Sequence, residues 1–329
     1  MNNATARRRF GDWRLRLLLL AFVLLGLTLA RPTIPLPQNF FRYVFVFDVT
    51  QSMNVEDAGD ADSPDDRLSH ARRAARSALR ALPCGSEAGL GLFTGHRSFL
   101  LFAPVEVCRH DEEINAMLER LDWRMGWAAK SEVAKALHSG LRVTKGLGKD
   151  TVLVFFTDGH EAPPINERFR PEFDGPPGEV RGVLAGVGGQ RPVPIPKYDT
   201  SGRQHGYWAA DEVMQVDPFS LGRPTSVENE SMSGVDRAEL VQRVLKGKEH
   251  FSSLREAYLQ RLADELKLRY HRLESAKSLT KLLLKPEFAI RRVADTDLRW
   301  VSGTLALLAL VSTYLAPISG WRNSRMNKT

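Results

Sequence analysis

Three observations predict that the body of this chain is an α/β domain with a doubly wound, mostly parallel sheet. Tyr43 to Phe47 is an apolar run without a charge or turn former, and it ends abruptly at Asp48. Thr151 to Phe156 repeats that pattern about a hundred residues later and leads through Thr157 to Asp158. Runs of this kind suit strands buried on both faces of a parallel sheet. Between them lie segments with helical spacing of apolar residues, as crossovers between parallel strands require.

Asp48 is placed by this reading at the carboxyl end of its strand. In open parallel sheets ligands bind at that edge, where loops diverge and helix N-termini point into the gap. The oxygens of Asp48, Thr50 and Ser52 alternate along the loop and can turn toward one point. Such a point suits a hard cation such as Mg²⁺, which prefers octahedral oxygen coordination and keeps waters.

A loop at Trp127 to Leu137, whose Ser131 opens a helix, lies between the two acid-ended strands, and the second strand ends in Thr157-Asp158-Gly159. In this order the motifs resemble the von Willebrand factor A domain with its metal-ion-dependent adhesion site. That family has Asp-x-Ser-x-Ser in its first loop, a Thr in its second and commonly Thr-Asp-Gly in its third. The resemblance implies a Rossmann-like fold and a ligand set of Asp48, Thr50, Ser52, Ser131 and Asp158. Thr50 stands where Ser is usual and Ser131 where Thr is usual, and both keep the hydroxyl. Ala128 and Ala129 replace the glycines that often precede the family's Thr. The implied cofactor is a divalent cation, Mg²⁺ foremost, with Ca²⁺ or Mn²⁺ as alternatives.

The formal net charge of +7 raises the question of nucleic acid. The first 31 residues carry +5 and the last eight +3, so the basicity is terminal and the body is nearly neutral. No nucleic-acid partner is expected. These charges flank apolar segments. Trp300 to Trp321 has no charge and an indole at each end, which predicts a transmembrane helix over 299–321. Residues 14–30, preceded by Arg7-Arg8-Arg9, are either an uncleaved anchor or a signal segment. With basic ends in the cytoplasm, 1–13 and 322–329, the main domain would face the periplasm from a bacterial inner membrane.

Cys84 and Cys108 flank a hairpin, Leu90 to Phe93 and Ser98 to Phe102, symmetrically about its turn at residue 96. Cross-strand partners share one index sum, so the thiols should meet and form a disulfide, the alternative being two separate buried thiols. Residues 31–39 are Pro-rich and predicted as a spacer, 40–274 as the domain, and 275–298 as a juxtamembrane linker. Within the domain, Glu56 to Asp66 reads as an acidic solvated loop or a second cation site. A helix over 66–82 buries Leu68, Ala71, Ala75 and Ala78 and exposes Arg72, Arg73, Arg76 and Arg80. Further helices are expected near 111–121 and at 252–266, with a strand near 268–273. Glu161, Tyr207 and Trp208 are candidate partner contacts.

The order of these features also resembles membrane-anchored members of the family, the aerotolerance-type (Bat) proteins and accessory proteins of methanol-dehydrogenase gene clusters. Those sit beside MoxR-type ATPases. A cation with neutral hydroxyls and two carboxylates seeks an oxygen anion from outside, so the implied partner is a protein presenting an Asp or Glu. In the family role that partner is a periplasmic dehydrogenase or assembly factor under maturation, or, as the alternative, a general Bat-type envelope system. An enzyme is not expected. A phosphohydrolase of the haloacid-dehalogenase type needs a second acid where Thr50 stands, and phosphate-loop, nucleophile-elbow and His-Glu-x-x-His motifs are absent. An envelope adhesion module would use the same site.

Overall fold

The computed structural model describes residues 3–60, 63–128, 130–165, 170–215 and 247–323. It forms two compact units, one of residues 39–290 and the other of residues 1–38 with 291–329. Helix α1 (Asn3–Leu29) and strand β1 (Thr33–Phe40) open the chain.

The larger unit begins with β2 (Arg42–Asp48), a turn, and the small hairpin of β3 (Ala58–Asp60) and β4 (Ser63–Asp65). Helix α2 (Arg67–Ala81), strands β5 (Glu87–Thr94) and β6 (Arg97–Glu106), and helices α3 (Asp111–Arg120) and α4 (Val133–Gly146) follow. Then come β7 (Val152–Thr157), β8 (Gly182–Gly186), β9 (Val193–Pro194), β10 (Pro196–Tyr198), β11 (Gln204–Tyr207) and β12 (Phe251–Ser252). Helix α5 (Glu256–Leu266), β13 (Arg269–Arg272) and α6 (Ala276–Leu283) complete it, before β14 (Ile290–Asp297) and α7 (Arg299–Asn323).

Six strands form the central sheet in the order β13-β8-β7-β2-β5-β6. All pairs are parallel except β5 with β6, so the edge strand β6 is the one antiparallel member. Strand β2 has β7 on one side and β5 on the other, which puts the topological switch point at its carboxyl end. Successive side chains of β2 point to opposite faces. Tyr43, Phe45 and Phe47 join α2 and α6 in one core, whereas Val44 and Val46 join α4 and α5 in the other. Both faces of the strand are therefore covered, which is why it reads as an unbroken apolar run. Asp66 starts α2 by accepting from Ser69 N at 2.7 Å.

The Cys84–Cys108 disulfide is present, with its Cα atoms 5.3 Å apart. Its hairpin departs from a constant register. Gly91 pairs with Leu100, Leu90 with Phe102 and Ala88 with Val105, so irregularities on either side of Leu90 each shift the index sum by one.

Four expectations are corrected. Residues 31–39 are not merely a spacer, because β1 pairs with β14 and Gln38 Nε2 donates to Thr296 Oγ1 at 2.7 Å. The 275–298 stretch is not a linker. Leu279, Leu282 and Leu283 of α6 enter the core, and Tyr43 Oη donates to Leu283 O at 2.5 Å, so the unit runs to residue 290 rather than 274. The helix expected at 252–266 starts at Glu256, because Phe251 and Ser252 pair with Pro194 and Val193.

The fourth concerns the membrane. Among the described residues no helix is long and apolar enough to cross one, so the spans expected at 14–30 and 299–321 are not supported. Arg14 and Arg16 cut into the apolar stretch of α1, and Ser302, Gly303, Thr304, Ser312 and Thr313 interrupt that of α7. From residue 315 the second expected span lies outside the residues whose side chains are described, as do the basic ends. Helices α1 and α7 pack on each other, with Ala21, Ala306 and Ala309 buried. Leu19, Phe22, Val23, Leu307, Leu308 and Tyr314 remain exposed on them.

Candidate functional site

Adjacent parallel strands carry the two acids to one edge. Phe47 pairs with Phe156, so the loops after β2 and β7 leave the sheet side by side. Asp48 is fully buried. Its Oδ1 accepts from Thr50 N at 2.9 Å and Thr50 Oγ1 at 2.6 Å, and its Oδ2 accepts from Thr157 Oγ1 at 2.7 Å. Thr50 Oγ1 lies 3.3 Å from Ser52 Oγ. Burial, then the charge of Asp158, push the Asp48 carboxyl up to about 7 against these hydrogen bonds.

Asp158 faces a different environment, built by residues that the sequence reading did not single out. Its Oδ2 accepts from Arg67 Nη1 at 2.5 Å and Ser252 Oγ at 2.8 Å, and its Oδ1 accepts from His160 N at 2.9 Å. Burial raises this carboxyl most strongly, but the Arg67 guanidinium together with the hydrogen bonds from His160 N and Ser252 Oγ outweighs it and holds the group below its ordinary value. Arg67 is itself fully buried, and its Nε and Nη2 grip the two carboxylate oxygens of Asp57 at 2.7 Å each. It also donates from Nη1 to Ser52 O at 3.2 Å, which ties the first loop to the third.

The backbone comes close to this arginine at Gly188. The residue has φ +118°, and a Cβ there would stand 2.4 Å from Arg67 Nε. Asp57 also accepts from Gly189 N at 2.9 Å. The expected solvated acidic loop is therefore partly turned inward. A sequence signal for Arg67 did exist, since it shares the α2 face with buried Ala71, Ala74 and Ala78 at helical spacing.

Ser131 is fixed by its backbone, which exchanges two 2.8 Å hydrogen bonds with Ala162. Its Oγ is buried and has no hydrogen-bond partner among the described residues. Helix α4 begins two residues later, and Glu161 caps it by accepting from Val133 N and Ala134 N at 2.9 Å each. Tyr258 Oη donates to the same carboxylate at 2.6 Å. Glu161 thus faces inward and is not the partner contact expected of it. Burial pushes its carboxyl up to about 7. His160 is buried as well, which draws its ring down to about 4 and leaves it neutral.

Thr50, Ser52 and Ser131 line one pocket of about 190 Å³, which also includes Trp127, His160, Ile195, Trp208 and Glu249. Asp48 lies beneath it, bonded to Thr50. Trp208 belongs to the pocket, while Tyr207, more than half exposed, does not line it. The structure therefore gathers Asp48, Thr50, Ser52 and Ser131 and gives Asp158 to Arg67.

A hard divalent cation fits this donor set. Ser131 Oγ is left without a hydrogen-bond partner among the described residues, and the Thr50 and Ser52 hydroxyls with the Asp48 carboxylate supply further oxygens. Asp158 is neutralised by the buried Arg67 guanidinium, as Asp48 is not, so it is the least available of the five expected ligands. Among the described residues, Cys84, Glu106 and Cys108 form the one group of three His, Cys, Asp or Glu donors close enough to hold a metal. Its sulfurs are spent in the disulfide.

Comparison with known proteins agrees on the domain. Residues 43–160 match the family model of the von Willebrand factor type A domain. No curated protein matches the chain. Among solved structures, an aerotolerance-related membrane protein from Bacteroides fragilis is similar at 16% identity and TM-score 0.43, covering 74% of this chain and 96% of its own. BatB from Bacteroides thetaiotaomicron is similar at 16% identity and TM-score 0.42, covering 74% and 95%. The PilB minor pilin from Streptococcus sanguinis follows at 14% identity and TM-score 0.38, covering 75% and 60%. Residues 43–160 thus resemble a von Willebrand factor type A domain, and the α/β fold with its mixed, mostly parallel central sheet continues beyond them through β8 and β13.

Proposed function

We propose that this chain is a non-enzymatic, metal-dependent protein-binding module of the cell envelope. The observation that carries this reading is the buried, unpartnered Ser131 Oγ in a pocket with the Thr50 and Ser52 hydroxyls. Asp48, Thr50, Ser52 and Ser131 would hold the cation. When bound, it offers an open position to an oxygen anion, the carboxylate of an Asp or Glu on the partner. Thr50 and Thr157 hold Asp48 in one orientation, and Arg67 fixes Asp158 and the Ser52 carbonyl, so the loops around the pocket are braced from below.

The finer reading rests on the resemblance of the motif order. The partner is a periplasmic metalloenzyme of the methanol-dehydrogenase type or its assembly factors, within a MoxR-associated system. Helices α1 and α7 hold the module at the inner membrane, with the domain in the periplasm. Their exposed leucines and aromatics support an apolar surround.

Isolation of the full-length protein from native membranes, in Mg²⁺ or Ca²⁺ and in EDTA, tests this. Partner retention should require the cation and should be lost in Asp48→Ala and Ser131→Ala, with the fold intact by circular dichroism. Equal retention in EDTA and in both variants would refute the metal-dependent role.

A further inference from the structure

The pocket that holds the three hydroxyls has other walls with a chemistry of their own. Trp127, Ile195 and Val213 give it apolar surface, and His160 and Trp208 also line it. His160 Nδ1 and Trp208 Nε1 are buried without a hydrogen-bond partner among the described residues, while His160 Nε2 lies 3.4 Å from Glu249 Oε2. His160 is 2% exposed, so its ring has little access to bulk water. A buried polar group without a partner costs about 1–3 kcal/mol, and native structures rarely leave several around one space. Such a set marks a ligand site.

The walls also specify the ligand. An indole N–H only donates, so the occupant brings an acceptor; a neutral imidazole offers one donor and one acceptor, so a hydroxyl can serve both. The volume of about 190 Å³ compares with about 150 Å³ for an engineered cavity that takes benzene. The space therefore suits one six-membered ring. A basic occupant is disfavoured, because the cation positions are already filled from within. Lys197 Nζ sits 4.8 Å from the centre of the Trp208 ring and pairs with Glu212, and Arg255 Nη2 is 3.5 Å from Glu249 Oε2.

We propose that the pocket is a specificity subsite for one tyrosyl side chain of the partner, set beside the partner's acidic residue. The phenol accepts from Trp208 Nε1 and donates toward His160, and the ring packs on Trp127, Ile195 and Val213. The placement of the acid rests on the cation site proposed above; that of the ring does not.

The test is titration of the full-length protein with blocked dipeptides Asp-Tyr, Asp-Phe, Asp-Ala and Asn-Tyr, each in Mg²⁺ and in EDTA. Asp-Tyr should bind about tenfold tighter than Asp-Phe, the worth of one hydrogen bond to an otherwise unpaired donor, and tighter still than Asp-Ala. Trp208→Phe, folded by circular dichroism, should erase the preference for Tyr over Phe and keep that over Ala. Equal affinity for Tyr, Phe and Ala overturns the subsite, as does an unchanged Tyr-to-Phe ratio in Trp208→Phe. So does the absence of Asp-Tyr binding at about 10 mM, where even a weak specific site would register. A Tyr preference that survives EDTA and the change of Asp to Asn supports the subsite and removes the metal reading. A metal-dependent preference for Asp over Asn without one for Tyr does the reverse.

Discussion

Arg67 is the side chain on which most of the site's order converges, and it lies fully buried between two carboxylates. Removing one member of a buried ionic network leaves uncompensated charge and costs about 3–5 kcal/mol. Arg67→Met should therefore lower stability by that amount, read from urea unfolding monitored by circular dichroism. Arg67→Lys should rescue it poorly, because an ammonium cannot grip both Asp57 oxygens and Asp158 together. Glu161 gives a pH signature. Its carboxyl rises from an ordinary 4.5 to about 7 through burial, so the folded state binds the extra proton. Stability from this group is present below about pH 4.5 and is lost as pH rises through 7, by about 3 kcal/mol. Glu161→Gln cannot titrate. The stability of the native chain relative to this variant should decline by that amount between pH 4.5 and 7.5 in denaturant titrations.

At the scale of elements, the devices that set register are covalent and conformational. The disulfide closes a loop of 24 residues' separation across β5 and β6. In the chain-entropy model such a loop is worth about 3 kcal/mol. Cys84→Ser with Cys108→Ser should lower the urea midpoint accordingly, and reduction of the native chain should reproduce the shift. Gly188 lets the loop after β8 run against α2. An Ala there meets Arg67 and a disfavoured φ together, for an expected loss of about 1–3 kcal/mol measured the same way. The cysteine pairing was legible from symmetry about the hairpin turn. The irregularities beside Leu90 were not, because alternation of apolar residues persists when one strand gains a residue.

For the whole molecule, residues 39–290 contain both hydrophobic cores and the complete central sheet. That segment expressed alone should fold and unfold in one cooperative urea transition, with its fluorescence and circular dichroism curves coinciding. A chain stopped at residue 274 should not, because it lacks Leu279, Leu282, Leu283 and the carbonyl that receives the Tyr43 hydroxyl. Full-length protein should partition with membranes and the 39–290 segment should not, since the exposed apolar faces of α1 and α7 lie outside it.

The sequence by itself determined the acid-ended central strands, the edge at which they end and the placing of Asp48, Thr50 and Ser52 at that edge. Strands buried on both faces admit no charge, so the acids that close them stand out from the apolar runs. The tertiary structure alone decided how those acids divide. Asp48 stays with the loop hydroxyls, while Asp158 is engaged by Arg67, which lies 91 residues earlier in the chain, and by Ser252, 94 residues later. It also decided that Glu161 points inward and that α6 belongs to the core. Periodicity reports which face of an element is apolar; which distant charge meets that face is set only when the elements pack.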